Sequence, residues 1–112
     1  MTTYSEGVAE VTDADFATEV LAAELPVLVK FTAEWCGPCR QLKPVLGAIA
    51  AEEAARLRIV EIDVDRNPET TLKYGILGTP TLMVFHSGEP VKSLIGARPK
   101  RRLLQELEDV LA

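Results

Sequence analysis

Cysteine and histidine are scarce in this chain, which holds two cysteines and one histidine among 112 residues. Zinc usually takes four ligands from Cys, His or carboxylate, so Cys36, Cys39 and the distant turn residue His86 make a poor ligand set, and no metal site is expected. Because the two cysteines stand three positions apart, none is left for a structural bridge between distant segments. The default compartment is therefore the reducing cytoplasm. Aromatic residues make up only 5%, so Ala, Val, Leu and Ile must form most of any core. No run approaches the roughly 18 apolar residues of a membrane span. Met1 to Glu10 contains neither a basic stretch nor an apolar core of a secretory signal, and no signal peptide is read there. Acidic residues outnumber basic ones by 17 to 12, and the formal charge of −5 argues against a nucleic-acid partner.

What is present fits one α/β domain, residues 1–112, with one core: 47% of the chain is hydrophobic, and strand-like runs alternate with helical ones. Gly7 to Val11 reads as a short edge strand. Thr12 is placed to N-cap a helix carrying Asp13 and Asp15 in its first turn and Phe16, Val20 and Ala23 on one face, ended by Pro26. Val27 to Phe31 is a β-branched run suited to a central strand buried on both faces, interrupted by the charge of Lys30. A long helix is expected from Cys36 to about Arg56, with Leu42, Val45, Leu46 and Ile49 as its apolar stripe and Pro44 as a kink. Arg58 to Val64 would return parallel to the first central strand through a right-handed crossover. Asn67 reads as an N-cap, Pro68 as the first residue of a short helix that ends near Tyr74-Gly75. Thr81 to Phe85 and Val91 to Ile95 should pair as a hairpin about Gly88, and Pro99 opens a last helix with Leu103, Leu104, Leu107 and Leu111 facing the core.

The chemistry lies in Trp35-Cys36-Gly37-Pro38-Cys39. In the first turn of a helix, residues three apart lie roughly 5 Å apart by Cα, within the span of a disulfide, so this pair can open and close with little backbone movement. A structural staple gains most from closing a long loop, and this ring is too small for that. Reversible redox chemistry is the better explanation.

Taken together, several motifs resemble the thioredoxin family over essentially the whole chain. They are Ala33-Glu34-Trp35-Cys36-Gly37-Pro38-Cys39-Arg40, the Pro44 kink, Asp63-Val64-Asp65-Arg66-Asn67-Pro68, Tyr74-Gly75-Ile76, Gly78-Thr79-Pro80-Thr81 and Gly96-Ala97. The resemblance implies a thioredoxin fold, a central mixed β-sheet of about five strands flanked by about four helices in three α/β/α layers. It also implies a protein-disulfide reductase in which Cys36 is the exposed nucleophile and Cys39 the more buried resolving cysteine. A helix N-terminus favours a thiolate and lowers a cysteine pKa from about 8.5 towards about 7, the value known for this class of motif. Cys36 would form a mixed disulfide with the substrate protein, which Cys39 then resolves.

By the same resemblance the Thr79-Pro80 bond is cis, freeing the Thr79 backbone to hydrogen-bond an extended substrate, as in strand addition. Trp35, Gly37, Pro38, Gly78, Thr79, Gly96 and Ala97 would form the docking surface, although Trp35 could instead be a core residue. No cofactor is bound. The Cys36-Cys39 disulfide would be reduced indirectly by NADPH through a flavoprotein thioredoxin reductase, the partners being that reductase and disulfide-containing proteins, and the chain a monomer.

The chain departs from the family beneath the motif. Thioredoxins usually have a buried Asp where Lys30 stands and a Lys where Glu61 stands. Strand alternation places Lys30 and Glu61 where they could form the family's acid–base pair with reversed polarity, or Lys30 could carry its head to water along an apolar surface. Thr32, Leu77 and Thr79 are further departures that alter the docking surface and leave the dithiol intact. Arg98, Lys100, Arg101 and Arg102 form a basic cluster, read mainly as a solvated helix face with Arg102 and Glu106 paired at i, i+4. A disulfide oxidase or isomerase, or a binding subunit on the same fold, are the alternative functions. Gly37-Pro38 between the cysteines resembles the reducing members, since oxidants and isomerases more often carry a His there.

Overall fold

The computed structural model describes Tyr4–Ser5 and residues 7–112; the reading of Met1 to Glu10 as free of a signal peptide falls partly on residues 1–3 and 6, outside the described set. Its elements are β1 (Tyr4–Ser5), β2 (Val8–Glu10), β3 (Val27–Thr32), α1 (Gly37–Glu52), β4 (Arg58–Asp63), α2 (Pro68–Lys73), β5 (Thr81–His86), β6 (Glu89–Ile95), α3 (Lys100–Glu106) and α4 (Glu108–Leu111). A single π-helical turn, Ala17–Leu21, lies between β2 and β3. The strands form one mixed sheet in the order β1-β2-β4-β3-β5-β6. β4 runs parallel to β2 and β3, whereas β5 is antiparallel to β3 and β6. The five expected strands are present, and the two-residue β1 pairs outside β2, so β2 is not the edge.

Alternation along the central strands sorts the core into two layers. Leu28, Ile59, Leu82 and Val84 pack with Leu42, Leu46 and Ile49 of α1 and with Leu103, Leu107 and Leu111 from the C-terminal helices. Val27, Val29, Phe31, Val60, Ile62 and Phe85 face the other way, onto Phe16 and Val20, with Tyr74 and Ile76 against them. The fold is accordingly the three-layer α/β/α expected. Lys30 shares the alternation of Leu28 and so belongs to the α1 side of the sheet.

Local structure departs from expectation where distant side chains intervene. The helix expected from Thr12 is reduced to the π-helical turn; the Asp15 carboxylate accepts the Thr12 N–H (2.7 Å) and the Thr12 hydroxyl (3.2 Å), and that hydroxyl caps no helix N–H among the described residues. Asn67 occupies the N-cap position of α2 without capping it: its amide donates to the Asp63 carbonyl (2.9 Å) and accepts the Asp13 N–H (2.8 Å). Asp13 does the capping across the gap, accepting the N–H groups of Glu69 (3.1 Å) and Thr70 (2.9 Å). Burial pushes its carboxyl upward, but hydrogen bonds from Thr70 and Glu69 prevail and hold it below the usual carboxylate range.

α1 stops at Glu52 rather than Arg56, since residues 53–56 close into a turn in which Arg56 pairs with Glu53. The last helix breaks at Leu107 into α3 and α4, yet Leu103, Leu107 and Leu111 stay buried as the periodicity required. The β5–β6 turn is the two-residue Ser87-Gly88, with φ of 54° and 80°, so β6 begins at Glu89 rather than Val91. Positive φ at both central residues is what a type I′ hairpin turn demands, and Gly88 meets it without strain.

Candidate active site

Parallel pairing of β3 with β4 brings two loops out at the same end of the sheet: one runs from Thr32 into α1, and the other from Asp63 into α2. Thr81, the first residue of β5, pairs with Phe31 on one side and Ile95 on the other, adding the Pro80 and Gly96 loops to that end. A crevice outside the carboxyl ends of parallel strands is where α/β sheets carry their chemistry.

Cys36 and Cys39 are joined by a disulfide with Cα atoms 5.3 Å apart. Cys36 is the N-cap of α1 in extended conformation (φ −90°, ψ 105°), and its Sγ accepts the Cys39 N–H at 3.2 Å. A sulfur therefore occupies the position of the usual capping oxygen, on one of the N–H groups that a helix start leaves unpaired. Pro38 lies in the first turn, where an N–H would have no intrahelical partner anyway. The expected contrast between an exposed Cys36 and a buried Cys39 is absent in the disulfide form, in which the residues are 2% and 1% exposed. Both pack with Ala33 in a small apolar cluster against Val64, which covers Cys36 as well as its partner.

Trp35 is 67% exposed, which excludes the core alternative. Its indole N–H donates to Asp65 Oδ2 at 2.8 Å, tying the α1 loop to the β4 loop. In the sequence Asp65 stands out only as part of the Asp63-Val64-Asp65-Arg66-Asn67-Pro68 motif; the parallel register that places the two loops side by side is the signal that points to its role. Arg40 adds a bond to the Glu34 carbonyl (2.8 Å), and Arg66 pairs with the Glu34 carboxylate (2.7 Å).

The Thr79-Pro80 bond is cis. Pro80 is buried and accepts the Gly96 N–H at 2.9 Å, while Thr81 Oγ1 donates to the Gly78 carbonyl at 2.7 Å. Thr79 Oγ1 is buried with no hydrogen-bond partner. Gly78 and Ala97 are exposed, and Leu77 (100%) and Ile95 (75%) project into water around a groove of about 110 Å³.

Lys30 and Glu61 are register partners across β3 and β4, and both line a cleft of about 190 Å³ together with Cys39, Lys43 and Asp63. Lys30 is only 4% exposed, which overturns the surface alternative. Burial pushes its ammonium below the ordinary range; Glu61 opposes that shift and Lys43 adds to it. The two heads do not make the ion pair anticipated from alternation: among the described residues no contact within 4.0 Å joins them. They share a face without meeting, and their coupling is through space. Asp63 Oδ1 is engaged by the N–H groups of Asp65 (2.9 Å) and Arg66 (3.2 Å).

The basic cluster is largely neutralised. Lys100 pairs with Glu52, and Arg102 reaches Glu106 at 4.0 Å as expected. Arg98 departs from a solvated face: its side chain is 9% exposed and holds Glu106 at 2.7 Å. The spacing of eight positions hides this pair from any i, i+4 rule. His86 ends β5, at the opposite end of the strand from Thr81, and so lies away from the disulfide. No helix of the described residues is long and apolar enough to cross a membrane.

Comparison with known proteins agrees with this geometry. Residues 7–109 match the family model described as Thioredoxin. The chain is 51% identical over 102 residues to a thioredoxin of Mycobacterium tuberculosis (strain H37Rv), covering 91% of this chain and 88% of that one. It is 52% identical over 95 residues to a thioredoxin of Streptomyces clavuligerus, covering 85% and 88%. It is also 46% identical over 102 residues to part of a bifunctional thioredoxin reductase/thioredoxin of Mycobacterium leprae, covering 91% of this chain and 22% of that protein.

Proposed function

This chain belongs to the thioredoxin family and is a protein-disulfide reductase, and on that premise we propose the course of its reaction and the residues that carry it. Cys36, as thiolate, attacks one sulfur of a substrate disulfide. A Cys36–substrate disulfide forms, and the other substrate sulfur leaves as a thiolate that takes up a proton. Cys39 then gives up its proton, attacks the Cys36 sulfur and expels the second substrate sulfur as a thiolate, which also takes up a proton. The substrate has gained two electrons and two protons, and the Cys36–Cys39 disulfide is closed. The observation that carries this order is the position of Cys36 at the N-cap of α1, its Sγ accepting a helix N–H. The partial positive charge of a helix start favours the thiolate at that position over one three residues further on.

Docking falls to Trp35, Gly37, Pro38, Gly78, Thr79, Gly96 and Ala97, around buried Pro80. Exposure of Trp35 and Ala97 at the site end of the sheet supports this reading. Glu61 is the acceptor for the Cys39 proton and Lys30 the cation that compensates it. The shared cleft supports those roles, as does the engagement of the competing carboxylate of Asp63 by backbone N–H groups.

The chain is one thioredoxin domain, a cytoplasmic monomer without a bound cofactor, and not a partner of nucleic acid or membrane. NADPH recharges it through a thioredoxin reductase; a relative whose name joins both proteins in one chain favours that partnership.

Cys39→Ser is expected to accumulate a mixed disulfide with insulin that dithiothreitol releases, and Cys36→Ser to form none and to lose insulin reduction. Adduct formation by Cys36→Ser alone would reverse the assignment. Superimposable pH–rate profiles for wild type, Lys30→Met and Glu61→Gln would remove both residues from the resolving step.

A further inference from the structure

We propose that Arg98 is a positioning residue for the Gly96-Ala97 docking loop, a clamp that fixes one wall of the substrate groove relative to the Pro80 loop. The proposal rests on the reading of Gly96 and Ala97 as docking residues. Arg98 Nη1 donates to both carboxylate oxygens of Glu106, Oε1 at 2.7 Å and Oε2 at 2.8 Å. Its other N–H groups go to the carbonyls that end β6: Nη2 donates to Ile95 and, at 3.3 Å, to Gly96, and Nε donates to Gly96 at 3.3 Å. Five donors in one rigid plane make this possible, and a lysine ammonium has no equivalent.

Each end of the linkage is anchored. Glu106 is the last residue of α3, whose Leu103 is fully buried, and its own carbonyl accepts Lys92 Nζ at 2.7 Å. Gly96, held at φ +95°, passes the constraint on by donating its N–H to the Pro80 carbonyl at 2.9 Å. A cleft of about 290 Å³ lined by Gln41, Val45, Ala97, Arg98 and Pro99 borders the loop, which leaves room for it to shift when its hydrogen bonds are removed. A buried guanidinium satisfied on both sides is a rigid element, whereas the same loop without it could sample several positions. Ordering the loop before the substrate arrives removes that cost from binding and leaves the dithiol untouched.

The test is steady-state insulin reduction and the reduction of a small aromatic disulfide by wild type, Arg98→Leu, Arg98→Lys and Glu106→Gln, with Ala97→Glu as a control for docking, all well below their Tm. Arg98→Leu is expected to raise KM for insulin about five- to tenfold, with kcat and the small-disulfide rate within about twofold of wild type. Arg98→Lys should restore little of the loss and Glu106→Gln should fall between, which also serves if Arg98→Leu folds poorly. An unchanged KM in the Arg98 variants and Glu106→Gln, together with a raised KM in Ala97→Glu, overturns the clamp and leaves docking standing. An unchanged KM in Ala97→Glu as well overturns the docking reading itself. An equal fall of kcat and of the small-disulfide rate in Arg98→Leu would also refute the proposal, because the effect would then lie on the dithiol.

Discussion

Replacing Lys30 by methionine should make this protein more stable at neutral pH. Lys30 is 4% exposed as a residue and lines the cleft shared with Glu61, Lys43 and Cys39, so its ammonium has lost a large part of its water. That loss costs several kcal/mol for an ion in a real protein interior. The compensation is incomplete. Glu61 stands beyond 4.0 Å, where its attraction at an effective dielectric of about 20 stays below about 4 kcal/mol, and Lys43 repels. The lowered pKa records the winner, since it means that desolvation outweighs Glu61. Methionine keeps most of the stem and removes the charge, while half-exposed Glu61 retains its water.

The expected gain is about 1–3 kcal/mol at pH 7. For a chain of this length the unfolding entropy near Tm is about 0.24 kcal/mol/K, so Tm should rise by about 4–12 °C. The pH dependence gives the sharper check. With a folded pKa below the unfolded value, the folded state binds fewer protons between the two, and wild-type stability recovers as pH rises through that window towards about 10.4. Thermal unfolding of both proteins at pH 7 and pH 10.5, followed by circular dichroism, should show the gap narrowing at the higher pH. A variant less stable than wild type at pH 7, or a gain equal at both pH values, would refute the reasoning.

Asp13→Ala should destabilise by about 1–2 kcal/mol, measured by urea unfolding, because it leaves two N–H groups of α2 uncapped. Since the folded carboxyl titrates below the usual range, its contribution is complete above about pH 4 and fades as pH falls through the folded value, so wild type and variant should converge in acid; a gap constant to low pH would assign the loss to something other than the charge. Leu103→Ala should cost about 2–5 kcal/mol, and half-buried Leu104→Ala clearly less, in paired thermal melts; the reverse order would mean that α3 presents the other face to the core.

Strand positions were readable from the chain because β-branched runs buried on both faces leave a local signature: Val27 to Phe31 became β3 with every residue covered. Alternation puts Lys30 and Glu61 on one face and the family resemblance sets them opposite each other, as the register has them, but whether the heads meet depends on rotamers and on Lys43 from α1. The failures share one cause. A local role for Asn67 and Arg98 follows from neighbouring positions, and each is governed instead by a group that the fold brings close: Asn67 by Asp13 and Arg98 by Glu106. The dithiol was legible because its chemistry needs only three consecutive peptide steps. The cis bond before Pro80 was available only through family resemblance, as most X-Pro bonds are trans.

Leu77 and Ile95 bear on how widely such a site can recruit clients. Both stand in water beside the Gly78 turn, and complete burial of either side chain is worth about 1.5–3 kcal/mol to whatever covers it. That attraction has no direction and reads no particular side chain. Any client with an apolar neighbour beside its disulfide would collect it, whereas the docking proposed above leaves the angle of approach to backbone bonds at the Pro80 loop. On that proposal, grip without a code, joined to orientation by main chain alone, would let one small surface handle unrelated proteins and would place selection among them on the accessibility of their disulfides.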